Sequence, residues 1–177
     1  MSNLIEYENN YFEIYKNHND IVNKITLISK EINEFYKGKD VNIIGLLDGC
    51  LPTLNIFKKK INFFPKIDLI KVSSYKDMKR GKLFIENKLN TKLAIGENIL
   101  LIDDIVDSGN TINRMKSEII KYSPNSDIKT FSLLVKKDKV HLCDWYCYLV
   151  PDKYVIGFGM DINNLFRELN DIYIMKD

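Results

Sequence analysis

The chain has 177 residues, 45% of them hydrophobic and 28% charged, with 26 Lys plus Arg against 24 Asp plus Glu. That is one ordinary domain with enough apolar side chains to bury a core, and the net charge of +2 gives no global reason to expect nucleic acid as a partner. Three scattered cysteines, Cys50, Cys143 and Cys147, argue against a disulfide framework and fit a reducing cytosol. With only His18 and His141 to join them, they lack the four well-spaced ligands of a zinc site. Residues 1–15 are polar and acidic, unlike a signal peptide. No apolar run approaches bilayer length, so no membrane is expected and the expected location is the cytoplasm.

In chain order, Ile21, Ile25, Ile28, Ile32 and Phe35 recur at helical spacing and predict a helix over 20–36, capped by Asp20 and ended by Gly38. Residues 41–47 form a short, continuous apolar run rich in β-branched side chains, which suits a buried parallel strand. Pro52 fits a first helical turn, and Leu54, Ile56, Phe57 and Ile61 extend that helix to residue 63. A strand is predicted over 68–75, a polar stretch over 76–81 and a hairpin over 83–93. Strands follow at 98–102 and 129–135, with a helix at 110–122 between them. Short strands are predicted at 146–150, 154–156 and 172–175, with a helical turn at 166–169. Gly157 and Gly159 suggest a strand-end turn. Strands alternating with helices imply an α/β fold around a parallel sheet. Ligands in such sheets bind beyond the carboxyl ends of the strands.

Polar residues do follow the apolar runs, most tellingly at 98–111, which reads NILLIDDIVDSGNT. A strand runs into two adjacent acids, Asp103 and Asp104. A third acid, Asp107, precedes Ser108, Gly109, Asn110 and Thr111 at a helix start. Glycine permits a tight backbone there, the hydroxyls can donate, and the free N–H groups of a helix start favour a phosphate. Adjacent carboxylates accept hydrogen bonds from a sugar diol and suit a hard metal ion.

This string resembles the phosphoribosyl pyrophosphate (PRPP) motif of type I phosphoribosyltransferases. Within that family, residues 41–175 are similar to the hypoxanthine-guanine phosphoribosyltransferases. IIGLLDG at 43–49 looks like their pyrophosphate loop, VSSY at 72–75 like the start of their lid, and SLLVK at 132–136 like the strand bearing a purine-contacting lysine. PDKYVIGFGMD at 151–161 and FREL at 166–169 look like their C-terminal base- and pyrophosphate-binding segments.

The resemblance implies a single domain over 1–177, its central parallel sheet flanked by helices and a small hood built from 1–15 and 146–177. It implies purine salvage, in which the phosphoribosyl group passes from PRPP to N9 of a 6-oxopurine with Mg²⁺. Asp103 and Asp104 would hold the ribose hydroxyls directly or through Mg²⁺-bound water, and Asp161 would help hold a second Mg²⁺. Asp107 would approach the purine N7 as the catalytic acid or base. Ser108, Gly109, Asn110 and Thr111 would hold the 5-phosphate. Asp48, Gly49 and Arg167 would meet pyrophosphate, and Ser74 and Tyr75 would close over the site. Lys136 would donate to the purine O6, Tyr154 would stack on the base, the Val155 backbone would meet its edge, and Asp161 would lie beside it. A homodimer or homotetramer is the implied assembly.

The chain departs from the family pattern at two points. Asp48 puts an acid where many members carry a basic or neutral residue, which throws pyrophosphate binding onto backbone N–H groups. The lid segment 76–81 is short and lacks the usual Ser and Thr, leaving Lys76, Lys79 and Arg80 to act electrostatically. Lys137 stands beside Lys136 and would replace it if the strand register differed by one. Hypoxanthine, guanine and xanthine all remain open as the base. Other readings are a nucleic-acid-binding regulator that keeps the PRPP site and an enzyme of the same fold acting on another base.

Overall fold

The structure, a computed structural model, describes residues 4–74, 83–85 and 93–176, with side chains for 4–72 and 93–176. Tyr75, the lid at 76–81 and most of the predicted hairpin lie outside the described residues.

Six strands form the main sheet in the order β5-β4-β3-β6-β7-β8: β3 (Val41–Leu47), β4 (Lys66–Ser74), β5 (Leu83–Ile85), β6 (Asn98–Val106), β7 (Asp127–Lys136) and β8 (Trp145–Val150). All neighbours pair in parallel except β5, which runs antiparallel to β4 along the edge. The inner strands are apolar on both sides because both faces are covered. Ile43, Leu100, Ile102 and Phe131 pack under α1 (His18–Phe35) and α2 (Leu51–Phe57). Ile44, Ile99 and Leu101 pack with Ile112, Met115 and Ile119 of α3 (Asn110–Tyr122) on the other face.

The chain goes from β3 through α2 to β4 on one side, then returns to β6 on the other. The strand order therefore reverses between β3 and β6. The loops leaving these two strands diverge there, and a crevice opens at their carboxyl ends.

A second, antiparallel sheet of order β1-β2-β10-β9 joins the termini: β1 (Leu4–Tyr7), β2 (Asn10–Lys16), β9 (Val155–Ile156) and β10 (Ile172–Met175). Its core is Phe12, Ile156 and Tyr173. This sheet draws on both terminal segments from which the resemblance implies a hood, but residues 146–150 belong to β8 of the main sheet, and the β1–β2 hairpin was not legible as strands. Burial alternates through β1 but not through β2, and the exposed positions mix Leu4, Asn10 and Tyr11 with Glu6 and Glu13, so no clean period-2 pattern marks them.

Several boundaries differ from expectation. Helix α1 begins at His18, because the Asn17 side chain caps it by accepting from the Asp20 N–H at 2.9 Å. Asp20 lies in the first turn instead. The helix also stops at Phe35, three residues before Gly38. Helix α2 ends at Phe57 rather than 63, where the chain breaks into turns held by Lys60 N–H to Phe57 O and Ile61 N–H to Phe57 O. Residues 166–169 form a hydrogen-bonded turn rather than a helical one, since Phe166 has φ +74°. Strand β6 continues to Val106, so Asp103 and Asp104 belong to the strand instead of following it.

Candidate active site

The adjacent acids are set by β6 itself. The Asp103 carboxylate accepts the Asp104 N–H at 3.1 Å, and the Asp104 carboxylate accepts the Ile105 N–H at 3.0 Å. Asp103 is 5% exposed. Burial pushes its carboxyl well above the ordinary 3.8, and the charge of Asp104 adds to the effect. Burial also raises Asp104, opposed by hydrogen bonds from Asp103 and the backbone and by the charge of Arg167. Two like charges in one desolvated place invite a cation.

The turn after β3 lies directly against these acids. A Cβ added to Gly49 would fall 1.6 Å from Oδ2 of Asp104, so only glycine lets the two backbones approach this closely. Gly159 closes the same corner from the C-terminal segment: its φ is +99°, and a Cβ there would lie 2.2 Å from the Gly49 carbonyl oxygen. Asp48 next to Gly49 is exposed, and its side chain is solvated.

After β6, Asp107 and Ser108 are exposed and Gly109 is buried at φ +79°, where a Cβ would strike Leu142. Gly109 is the residue before α3, whose first residue is Asn110. The Ser108 hydroxyl accepts the Asn110 N–H at 3.3 Å. The other N–H groups of that first turn have no partner within the helix, the arrangement that favours an anion.

Lys136 ends β7 and Lys137 opens the following 3-10 helix, which fixes the register between them. Lys136 is the one within the cleft. Its Nζ lies 3.3 Å from Asp107 Oδ1 and 2.5 Å from Asp152 Oδ1. Burial works against the ammonium, yet hydrogen bonds and charge from Asp152 and Asp107 outweigh it and raise its pKa above 10.5. Lys137 is exposed.

A cleft of about 220 Å³ joins these parts, lined by Asp104, Ile105, Asp107, Lys136, Lys153, Tyr154, Val155, Met160 and Asp161. Tyr154 is half exposed, and its hydroxyl donates to the Asp161 carbonyl at 3.3 Å. Asp161 is engaged twice: Oδ1 pairs with Arg167 Nη2 and Oδ2 accepts the Asn164 N–H, each at 2.7 Å. Arg167 Nη1 donates to the Gly159 carbonyl at 2.7 Å, and its backbone carbonyl accepts the Gly159 N–H at 3.0 Å. Arg167 thus buttresses the corner where Gly159 meets Gly49.

Most expected site residues therefore gather at this one end of the sheet. Ser74 ends β4, with its side chain outside the described set, and Tyr75 lies beyond it. Asp152, Lys153 and Met160 were quoted within a motif but given no role by sequence reasoning, and Ile105 likewise. Asp152 is paired across 16 positions, and no periodicity reports such a pair.

An open α/β sheet with both faces covered and a cleft beyond the carboxyl ends of β6 and β7 is the arrangement in which sheets of this class take a ligand. The Phosphoribosyl transferase domain family model matches residues 11–163, and the chain belongs to that family. It is 28% identical to a hypoxanthine-guanine phosphoribosyltransferase of Streptococcus pyogenes over 93% of each chain. It is 29% identical to the Bifunctional protein TilS/HprT of Listeria innocua over 98% of its own length, while spanning 29% of that longer protein. Among solved structures, a hypoxanthine phosphoribosyltransferase from Staphylococcus aureus superposes with a TM-score of 0.84 at 25% identity, covering 93% of this chain and 91% of that one. The Trypanosoma cruzi hypoxanthine phosphoribosyltransferase in complex with the product IMP gives 0.83 at 26% identity, covering 97% of both. The architecture is that of a type I phosphoribosyltransferase.

Proposed function

We propose that this chain salvages purines by transferring the 5-phosphoribosyl group of PRPP to N9 of hypoxanthine or guanine, releasing pyrophosphate and giving IMP or GMP. The observation that carries the reading is the shared cleft. It brings Asp104 of the β6 pair and Asp107, which leads into the loop before α3, to the same place as Lys136 and Tyr154.

Ser108, Gly109, Asn110 and Thr111 hold the 5-phosphate at the start of α3. Asp103 and Asp104 accept the ribose hydroxyls, and as carboxylates they favour the positive charge that develops on the sugar. Gly49 and its neighbours offer backbone N–H groups to pyrophosphate, and Arg167 adds charge. The base stacks on Tyr154. Lys136 has donors only, so it pairs with O6 and gives nothing to a 6-amino group. Asp107 receives a hydrogen bond or proton from N7 as N9 attacks. Ser74 and Tyr75 belong to the lid that excludes water in this reading.

The donor set fits Mg²⁺. Among the described residues no three His, Cys, Asp or Glu gather as a ready-made cage. Mg²⁺ asks for less, being held by one or two carboxylates together with waters and substrate phosphates. Asp103 and Asp104 would hold it, and Asp161 a second ion once Arg167 turns to pyrophosphate. When bound it neutralises the oxygens of the leaving group.

The same reading takes 1–177 as one domain with a hood from 1–15 and the chain after β8, working as a homodimer or homotetramer in the cytoplasm. All three cysteines are free, which supports a reducing compartment, and no described helix is long and apolar enough to cross a membrane.

A turnover panel of free bases with PRPP and Mg²⁺ tests the proposal. Hypoxanthine and guanine should react, xanthine defines the breadth of the pocket, and adenine should fail. Equal use of adenine would defeat the O6 argument.

A further inference from the structure

We infer that Asp152 is a positioning residue for base recognition, aiming the Lys136 ammonium at the 6-oxo group of the purine. The inference deepens the proposed function and rests on it.

A lysine ammonium has three N–H donors and no acceptor. The Lys136 ammonium donates one to Asp152 Oδ1 at 2.5 Å and forms an ion pair with Asp107 Oδ1 at 3.3 Å. Lys136 lines the cleft beside Tyr154 and Val155, where the base would lie, and its side chain is only 12% exposed. The two carboxylates come from different elements, one from the loop after β6 and one from the turn after β8. Together they narrow the directions left to the remaining N–H donors.

Lysine needs that help. It is a point charge on a flexible four-carbon stem with no planar fork to orient it. With Asp107 alone, Nζ could swing about a single partner. Lys136 and Asp107 also line a second cavity, whose other walls are residues 137–139 and 150–152, Asp152 among them. Asp152 on the side of the second cavity and Asp107, common to both spaces, hold the ammonium between them.

The Asp152 side chain is 99% exposed, so its ion pair contributes little to folding. A variant should therefore fold normally and show its effect only where Nζ must point. Recognition of the base should suffer while PRPP binding, assigned to other residues, should not.

The test is steady-state kinetics on the full chain with hypoxanthine, PRPP and Mg²⁺, comparing wild type with Asp152→Ala, Asp152→Glu and Asp138→Ala. Asp138 pairs with Lys139 instead and serves as the control. Asp152→Ala should raise KM for hypoxanthine about tenfold, the scale of one charge-assisted hydrogen bond. Its kcat, KM for PRPP and melting temperature should stay at wild-type values. Asp152→Glu should recover part of the loss, and Asp138→Ala should behave as wild type. If wild type turns over hypoxanthine and Asp152→Ala keeps its KM, the positioning role is wrong and the proposed function stands. The role is equally wrong if KM for PRPP rises in parallel. If wild type uses neither hypoxanthine nor guanine, the proposed function fails and this role goes with it.

Discussion

Gly49 lies so close to Asp104 that a single added carbon on Gly49 would sit 1.6 Å from the Asp104 carboxylate oxygen. The turn after β3 and the acid of β6 are thus two halves of one surface. Gly49→Ala must displace either the turn or the carboxylate. A shift of about 1 Å at a reacting centre costs on the order of 100-fold in rate. The variant should keep the circular dichroism spectrum of the wild type and lose kcat/KM for PRPP by about that factor. Kinetics at saturating hypoxanthine measure it.

Asp103 should oppose stability and activity to each other. Its carboxyl is buried, with a pKa raised well above 3.8, so the folded chain binds a proton there that the unfolded chain releases sooner. Stability from this group is full below the unfolded value and is lost as pH rises toward the folded one. Asp103→Asn removes the penalty. The melting temperature at neutral pH should rise by about 2–4 °C for each kcal/mol relieved in a chain of this length. The gain should shrink as pH falls toward 4. Turnover should collapse, because about 1.5–3 kcal/mol is lost with each charge-assisted hydrogen bond to ribose. Melting curves across pH, set beside activity, test both halves. An unchanged melting temperature at neutral pH would deny the burial cost.

Lys136 and Lys137 separate cleanly. Lys136→Ala should lower kcat/KM for hypoxanthine by about 100-fold and narrow the gap to adenine. A site that pairs with one polar group rejects its mismatch by roughly 10⁴-fold. Lys137→Ala should leave both bases as they are, since Lys137 is exposed at the start of the 3-10 helix. Loss of activity only in Lys137→Ala would reassign the contact.

Much of the fold could be read from apolar runs. Residues 41–47 and 110–122 are strand and helix with the bounds the pattern gives, because burial on both faces of a strand, or on one stripe of a helix, leaves a local signature. The end of β6 could not be read this way. Asp103 and Asp104 look like loop residues by polarity, yet pairing with β7 carries the strand through them to Val106. The β1–β2 hairpin was hidden for a related reason: its stability comes from β10, far along the chain. In the site, the phosphate loop is contiguous and was legible. The Asp152–Lys136–Asp107 cluster and the Gly49–Gly159 contact are assembled from distant segments and were not.

Tyr154 offers a test of base stacking that is independent of charge. It is half exposed beside the cleft, so truncation should cost the fold little. Tyr154→Ala should raise KM for hypoxanthine and guanine alike, by about tenfold for a stacking loss of ~1–3 kcal/mol. Tyr154→Phe should restore both. Failure of phenylalanine to restore them would mean that the hydroxyl on the Asp161 carbonyl matters, rather than the ring face.

The central claim is transfer of the phosphoribosyl group from pyrophosphate to a 6-oxopurine. One-pot ³¹P NMR of the purified chain with PRPP, Mg²⁺ and hypoxanthine measures it directly. The account predicts that the PRPP signals give way to inorganic pyrophosphate and the 5'-phosphate of IMP in equal amounts, and that they persist when hypoxanthine is left out. Release of pyrophosphate at the same rate without a base, or no loss of PRPP with it, would contradict the account.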